Sequence, residues 1–175
     1  MKSHLLFFTS IAIAASTMLA CSSSSSSGGT TGGDTGPGGR APTIKITSPA
    51  DKSTANVTTT SADVDIAYTV TGFTLMEPNK CAGAANCGHV HALVDGTDCN
   101  DTGLPANAET SKNPVAIGLD YCKKGIAGTH VVVLELHNDD HSPVKNAAGT
   151  TVSDTITITA KLTADADAGT DAKTD

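Results

Sequence analysis

Strict alternation of apolar and polar residues is the feature that most constrains how this chain folds. Between residues 63 and 70, the apolar side chains Val64, Ile66, Tyr68 and Val70 recur at every second position, which is typical of a half-buried β-strand. No segment has the 3.6-residue apolar period of a helix over three turns. Further strands are predicted at 43–47, 88–95, 114–119, 129–137 and 152–162.

Turn residues separate the predicted strands and set the fold class. Gly, Asn, Asp and Pro lie between them, and several short strands without helices indicate an all-β, antiparallel β-sandwich. A closed Greek-key β-barrel is the alternative. The segments 46–51 and 66–73 resemble the opening of bacterial immunoglobulin-like (Ig-like) domains. That resemblance implies an Ig-like form of the sandwich.

Composition divides the chain into four parts. Residues 1–20 carry a short apolar stretch typical of an export signal, too short for a comfortable membrane span. Residues 21–40 are a cysteine followed by a Ser/Gly-rich tether, which cannot bury apolar surface. The folded domain is predicted at 41–163, and residues 164–175 form a disordered acidic tail.

The junction between signal and tether, Met18-Leu19-Ala20-Cys21, resembles the bacterial lipobox. The resemblance implies cleavage before Cys21, lipidation of its sulfur and anchoring in a lipid bilayer, which several acyl chains make stable. Because Ser22 rather than Asp follows the cysteine, it also implies the outer membrane of the cell envelope, on its periplasmic or surface side. The alternative is an ordinary signal peptide with an incidental cysteine.

Charge argues against a nucleic-acid partner. Asp and Glu number 18 against 11 Lys and Arg, and the only arginine, Arg40, lies in the tether. A phosphate-binding surface needs clustered basic side chains. We therefore expect no nucleic-acid partner; the sequence indicates no particular protein partner, and a monomer is expected.

Four cysteines remain after Cys21, and an even number in an exported domain favours two disulfides. Of three possible pairings we favour Cys81–Cys87, closing a local loop, and Cys99–Cys122, closing a long one. A cysteine-rich metal site is the weaker alternative, because the spacings contain no C-x2-C pair.

Histidines are the chemically distinctive residues of the predicted domain. His89 and His91 occupy alternate positions of one strand, so both side chains point to the same face, and two more histidines lie at or just after the end of a later strand. Imidazole suits copper, zinc and nickel, which predicts a copper site, with zinc less favoured. The predicted ligands are His89, His91, His137 and His141.

Three further residues are predicted to lie around the metal ligands. Asp139 and Asp140 are carboxylates beside His141 and are expected to ligate the metal or orient the imidazole rings. His130 shares strand parity with Val132 and Leu134, which indicates the core side of the sheet. We therefore favour a semi-buried structural role for His130.

The segments Gly88-His89-Val90-His91 and 128–143 resemble a motif pair of uncharacterised bacterial exported domains. That resemblance implies an Ig-like sandwich, an exported location and a metal or small-ligand site, with no established activity. Copper/zinc superoxide dismutases are similar only in the His-x-His pair. No histidine lies between His91 and His130, and no arginine lies in the domain, so a dismutase is disfavoured.

Other kinds of site find little support. The segment 95–103 is rich in oxygen ligands but lacks the EF-hand spacing, so turns explain it better than calcium. No nucleophile motif is present. The sequence thus predicts a non-enzymatic, lipid-anchored, metal-binding domain. One alternative is a structural or adhesive surface module that binds a partner or glycan without metal, although the scarcity of aromatic residues argues against glycan binding. The other alternative is a copper-dependent redox enzyme.

Overall fold

Nine β-strands form the regular structure of residues 40–164, the part of the chain that this computed structural model describes. No helix occurs within these residues. The predicted signal, Cys21 and nearly all of the tether and tail lie outside them. The strands are β1 (Thr43–Ser48), β2 (Ser53–Val57), β3 (Asp63–Thr71), β4 (Thr74–Leu75), β5 (Cys87–Val94), β6 (Ala108–Thr110), β7 (Val115–Gly118), β8 (Gly128–Asn138) and β9 (Ser153–Leu162).

The strands form two sheets. One has the order β1-β3-β7, and the other has the order β2-β9-β8-β5-β4, with β6 also paired to β5. The prediction of an all-β sandwich is confirmed. Between residues 40 and 164 no strand pairing joins the sheets, so the alternative of a closed barrel does not describe them.

Strand pairing differs from the predicted antiparallel pattern at two places. β2 pairs with β9, and β4 pairs with β5, in the parallel direction. Strands β2, β4 and β6 were not predicted, because they contain only five, two and three residues and lack a clear apolar alternation. These short strands lie at sheet edges, where neighbouring strands rather than their own sequence hold them in place.

The core lies between the two sheets and uses every second residue of β5 and β8. Their register places Val90 beside Leu136 and Ala92 beside Leu134, and all four side chains are buried. They belong to one apolar cluster with residues of β3 and β7. Because successive side chains on a strand point to opposite faces, the intervening residues of β5 lie on the outer face of the sheet.

Two disulfides hold the loops around β5. Cys81 is bonded to Cys87 in the loop that leads into β5, and Cys99 is bonded to Cys122. This is the pairing that the sequence favoured. Within the described residues, no helix has the length and apolar character needed to span a membrane.

Candidate metal centre

Strand β5 places two histidines side by side on the outer face of its sheet. His89 and His91 lie two residues apart, which is the spacing that puts side chains on one face. Gly88 precedes them, and a Cβ atom at this position would collide with the backbone carbonyl of His137. Glycine at position 88 therefore allows β8 to pack closely against β5 next to His89, the first histidine of the cluster.

Two carboxylates flank His91 on neighbouring strands. In the strand register, His91 lies opposite Glu109 of β6 on one side and opposite Glu135 of β8 on the other. Residues paired in register point to the same face of a sheet. The result is a row of carboxylate, imidazole and carboxylate across three strands.

The turn after β8 carries the third histidine of the cluster. Asn138 N–H donates to the carbonyl of Ser142 at 2.8 Å, and His141 N–H donates to the carbonyl of Asn138 at 3.0 Å. This tight turn holds His141 at a φ of 64°, in the left-handed region. The turn brings the His141 ring to 4.7 Å from the ring of His89, centroid to centroid.

Four side chains form a group that could hold a metal ion: His89, His91, His141 and Glu109. Each contributes one ligand atom, and these atoms all lie within 4.8 Å of one another. The distance from His89 Nε2 to His91 Nε2 is 3.0 Å, and from His91 Nε2 to Glu109 Oε1 it is 3.2 Å. Ligands bound tetrahedrally at about 2.0–2.1 Å are about 3.3 Å apart, so these separations suit one ion.

Burial makes the two strand histidines good metal ligands. His89 is fully buried and His91 is 5% exposed. Burial, together with the neighbouring imidazoles of His137, His89 and His141, lowers the pKa of His91 to about 3. Burial and the nearby His141 also lower the pKa of His89. Both rings are therefore neutral near pH 7, and a neutral imidazole has the lone pair that a metal needs.

His137, predicted to be a ligand, has a different place in the structure. Its ring stacks on His91 with centroids 3.7 Å apart. Its Nδ1 donates to the carbonyl of His141 at 2.8 Å, and its Nε2 lies 3.2 Å from the carboxylate of Glu135. Both ring nitrogens of His137 therefore face groups outside the ligand cluster, and His137 does not belong to the four-residue group. The structure makes His137 a support for His91 and His141.

The two carboxylates predicted beside the ligands, Asp139 and Asp140, hold the turns around the site. Asp139 accepts a hydrogen bond from the backbone N–H of Cys81 at 3.3 Å, which connects the His141 turn to the disulfide loop. Asp140 accepts hydrogen bonds from the backbone N–H of Ser142 at 3.0 Å and from its hydroxyl at 2.5 Å. Neither carboxylate belongs to the four-residue ligand group.

His130 lies on the core face of its sheet, as its strand parity indicates. It is fully buried, not semi-buried, and its Nδ1 lies 2.8 Å from Asp95 Oδ2. The alternation of β8 separates it from the outer-face site that contains His137. His130 is therefore not part of the shell around the His89 cluster.

Glu109 is a ligand candidate that the sequence pattern did not predict. It lies in the three-residue strand β6, between a turn-rich loop and another short strand. Its Oε1 is buried and has no hydrogen-bond partner, although it faces His91. A lone glutamate in a short irregular segment gives no sequence signal, because only strand pairing brings it beside His91.

A cleft of about 600 Å³ opens beside the cluster. His91, Glu109 and His141 contribute to its wall together with Leu93 and Pro105. The side chain of His141 is 41% exposed at its edge. Solvent and small molecules therefore have a route to one side of the site.

The lowered pKa values of His89 and His91 predict a loss of stability in mild acid. A histidine whose pKa is lower in the folded state binds fewer protons there than it does in the unfolded chain. This difference appears once the pH falls below the histidine's usual pKa of about 6.5. The free energy of unfolding of the metal-free protein should therefore fall as pH drops from 7 towards 5. The slope approaches about 1.4 kcal/mol per pH unit for each additional proton. Urea unfolding at several pH values measures it.

The variant His91→Asn is the control for this pH dependence, because it removes the ring whose pKa is lowered furthest. Its unfolding free energy should depend less on pH between about 5 and 7. Carboxylates titrate mainly below this range. A wild-type stability that does not change over the range, or an equal slope in both proteins, contradicts the prediction.

Replacement of His141 by glycine should weaken metal binding and, at the same time, stabilise the metal-free protein. A non-glycine residue in the left-handed region costs about 1 kcal/mol, and glycine avoids most of this cost. We expect the metal-free His141→Gly protein to be more stable than wild type by about 0.5–1 kcal/mol and to bind metal more weakly. Urea unfolding and metal titration test both. His141→Ala should lose affinity without the gain; equal stability of the two variants would count against this reading.

Comparisons with protein-family models, with curated proteins and with solved structures find no match to this chain. Any functional proposal therefore depends on the geometry and chemistry of the cluster itself.

Proposed function

We propose that this protein binds a transition-metal ion outside the cytoplasm, with His89, His91, His141 and Glu109 as ligands. The observation that carries the proposal is the pair of imidazole nitrogens of His89 and His91, 3.0 Å apart and buried. Burying several imidazoles and a carboxylate together is unfavourable unless each polar atom finds a partner. An ion in the middle satisfies the unpartnered Glu109 Oε1 and the facing nitrogens together.

Copper is the ion that we propose. Imidazole and carboxylate ligands suit copper, zinc and nickel, and among divalent ions of this series copper binds such sites most tightly. Three imidazoles and one carboxylate match this preference, and no thiolate or thioether belongs to the group. Zinc is the competing ion that the measurement must include.

Metal content of the purified protein tests the proposal. Apo-protein should take up one equivalent of copper that survives dialysis, and the variant His89→Asn/His91→Asn should retain none. Zinc uptake without copper uptake would assign a different ion to the same site. Equal, negligible metal in wild type and variant would show that the two rings merely form an N–H···N hydrogen bond.

A matched control is His130→Asn, since His130 is equally buried but lies on the other face of the sheet. Copper uptake by this variant should equal that of wild type if the fold is intact by circular dichroism. Loss of copper in this variant and in the double variant alike would point to unfolding rather than to ligand removal.

We also propose that Cys21 anchors the protein to the outer membrane through attached lipid. The support is the lipobox-like sequence ending at Cys21 and the Ser/Gly-rich tether that follows it. Detergent-phase partitioning tests this: the expressed protein should enter the detergent phase, and a Cys21→Ala variant should not. Equal partitioning of both proteins contradicts anchoring.

A second function, redox catalysis at bound copper, is favoured by the cleft beside His141 and Glu109. A small substrate could reach the ion from this side. Superoxide consumption by the copper-loaded protein above that of His89→Asn/His91→Asn would support catalysis, and equal rates would leave binding as the function.

A further inference from the structure

A second group of metal-ligating side chains surrounds the disulfide Cys99–Cys122. Asp95 and His130 lie against this disulfide, and the four residues each offer one ligand atom within 4.8 Å of the others. Asp95 directly follows β5, at the opposite end of the strand from His89. The group is separate from the copper site proposed above, and nothing in that proposal depends on it.

Hydrogen bonds hold His130 and Asp95 in the orientation of metal ligands. His130 Nε2 donates to the carbonyl of Ile126 at 3.0 Å, so its Nδ1 faces the disulfide region. Asp95 Oδ1 accepts a hydrogen bond from the backbone N–H of Val131 at 2.9 Å, so its Oδ2 faces His130. Partners of this kind fix the tautomer and ring orientation of a metal-ligating histidine.

The distances between these atoms already resemble those of a tetrahedral site. Cys122 Sγ lies 3.8 Å from His130 Nδ1, and Cys99 Sγ lies 3.6 Å from Asp95 Oδ2. Two thiolates, an imidazole and a carboxylate around zinc have neighbouring ligand atoms about 3.3–3.8 Å apart. The sulfur–sulfur separation is the one that does not fit, because the two sulfurs are covalently bonded.

We propose that reduction of the Cys99–Cys122 disulfide creates a zinc site made of Asp95, Cys99, Cys122 and His130. A dithiol reductant transfers two electrons and two protons, so the protein disulfide becomes two thiols and the reductant becomes a disulfide. Zinc then replaces both thiol protons and the proton between His130 Nδ1 and Asp95, and these protons pass to solvent.

Charge at the site balances when zinc is bound. Lys124 Nζ lies 3.0 Å from Asp95 Oδ1 and adds one positive charge next to the ion. Zinc and Lys124 together then carry three positive charges, and the two thiolates with the Asp95 carboxylate carry three negative ones. A buried ion is tolerated when its charge is neutralised in this way. Thiolates with imidazole favour zinc over magnesium or calcium.

Zinc and cobalt binding to the full chain before and after reduction tests the proposal. Every protein carries Cys21→Ala, so that the Cys21 thiol does not compete, and His89→Asn/His91→Asn, so that the first site is removed. We expect no tightly bound zinc in the oxidised protein and one equivalent after reduction. Cobalt should show thiolate charge-transfer absorption only after reduction.

Two disulfide variants identify the residues involved. Cys81→Ala/Cys87→Ala should still bind one equivalent of zinc after reduction, whereas Cys99→Ala/Cys122→Ala should bind none. Absence of thiolate–cobalt absorption in the reduced chain overturns the proposal, as does its persistence in the Cys99→Ala/Cys122→Ala variant. If reduction abolishes the β-sheet circular dichroism, zinc should restore it, and failure to do so also overturns the proposal.

Discussion

Replacement of Glu109 by glutamine should weaken copper binding by at least about 100-fold while leaving the fold intact. Loss of a residue that only supports a ligand already costs about 10–100-fold in metal affinity, and a direct ligand should cost more. Glutamine keeps the size of the side chain but removes the negative charge that would face the ion. The Glu109 side chain is also 26% exposed, so the substitution disturbs little of the core. Competition titration against a chelator of known affinity measures the change.

The chain provides a matched control for this experiment in Glu135. It lies opposite His91 on the other neighbouring strand, but its carboxylate faces His137 Nε2 rather than the ligand group. Glu135→Gln should therefore change copper affinity much less than Glu109→Gln. Equal losses in the two variants would mean that the negative charge around His91 matters and that Glu109 is not a ligand.

Removal of the Cys99–Cys122 disulfide should produce the largest loss of stability. The two cysteines are 23 residues apart, and cross-linking a loop of this size stabilises a protein by about 3.5 kcal/mol in the chain-entropy model. Both cysteines belong to the buried core, so little rearrangement can compensate. We expect the free energy of unfolding of Cys99→Ala/Cys122→Ala to fall by about this amount. Urea unfolding at neutral pH measures it.

The stability loss on removal of the second disulfide, Cys81–Cys87, serves as the comparison. Cys81 and Cys87 are six residues apart, and the same model gives about 2.3 kcal/mol for a loop of this length. Cys81→Ala/Cys87→Ala should therefore be the more stable of the two variants by about 1 kcal/mol. The reverse order would show that contacts of the loop leading into β5, rather than loop entropy, dominate.

Much of the fold could be predicted because its long strands carry their own signal. The apolar alternation of β3 and β9 follows from which side chains face the core, and β8 is a long run of β-branched and apolar residues, so the sequence alone locates all three strands. The strands β2, β4 and β6 could not be found in this way. Their positions depend on hydrogen bonds to β9 and β5, which connect residues far apart in the chain.

The candidate site could be predicted in part, for a related physical reason. His89 and His91 share a face through the two-residue period of one strand, which a sequence shows directly. His141 was included because it follows a turn, but the sequence could not show that the ring nitrogens of His137 face the His141 carbonyl and Glu135 instead of the ligand cluster. Glu109 was missed because its proximity to His91 comes only from the pairing of β6 with β5.

Strand β5 has two interleaved sets of residues, one facing the core and one facing the metal site, and this makes the protein sensitive to insertions and deletions within the strand. Val90, Ala92 and Val94 face the core, and His89 and His91 face the outer site. A single-residue slip between β5 and its neighbours would exchange the two faces. Imidazoles would then enter the apolar interior, and Val90 or Ala92 would take the place of His91 beside Glu109. Substitution can change either face of β5 alone, whereas one inserted or deleted residue within the strand would damage the core and the metal centre together.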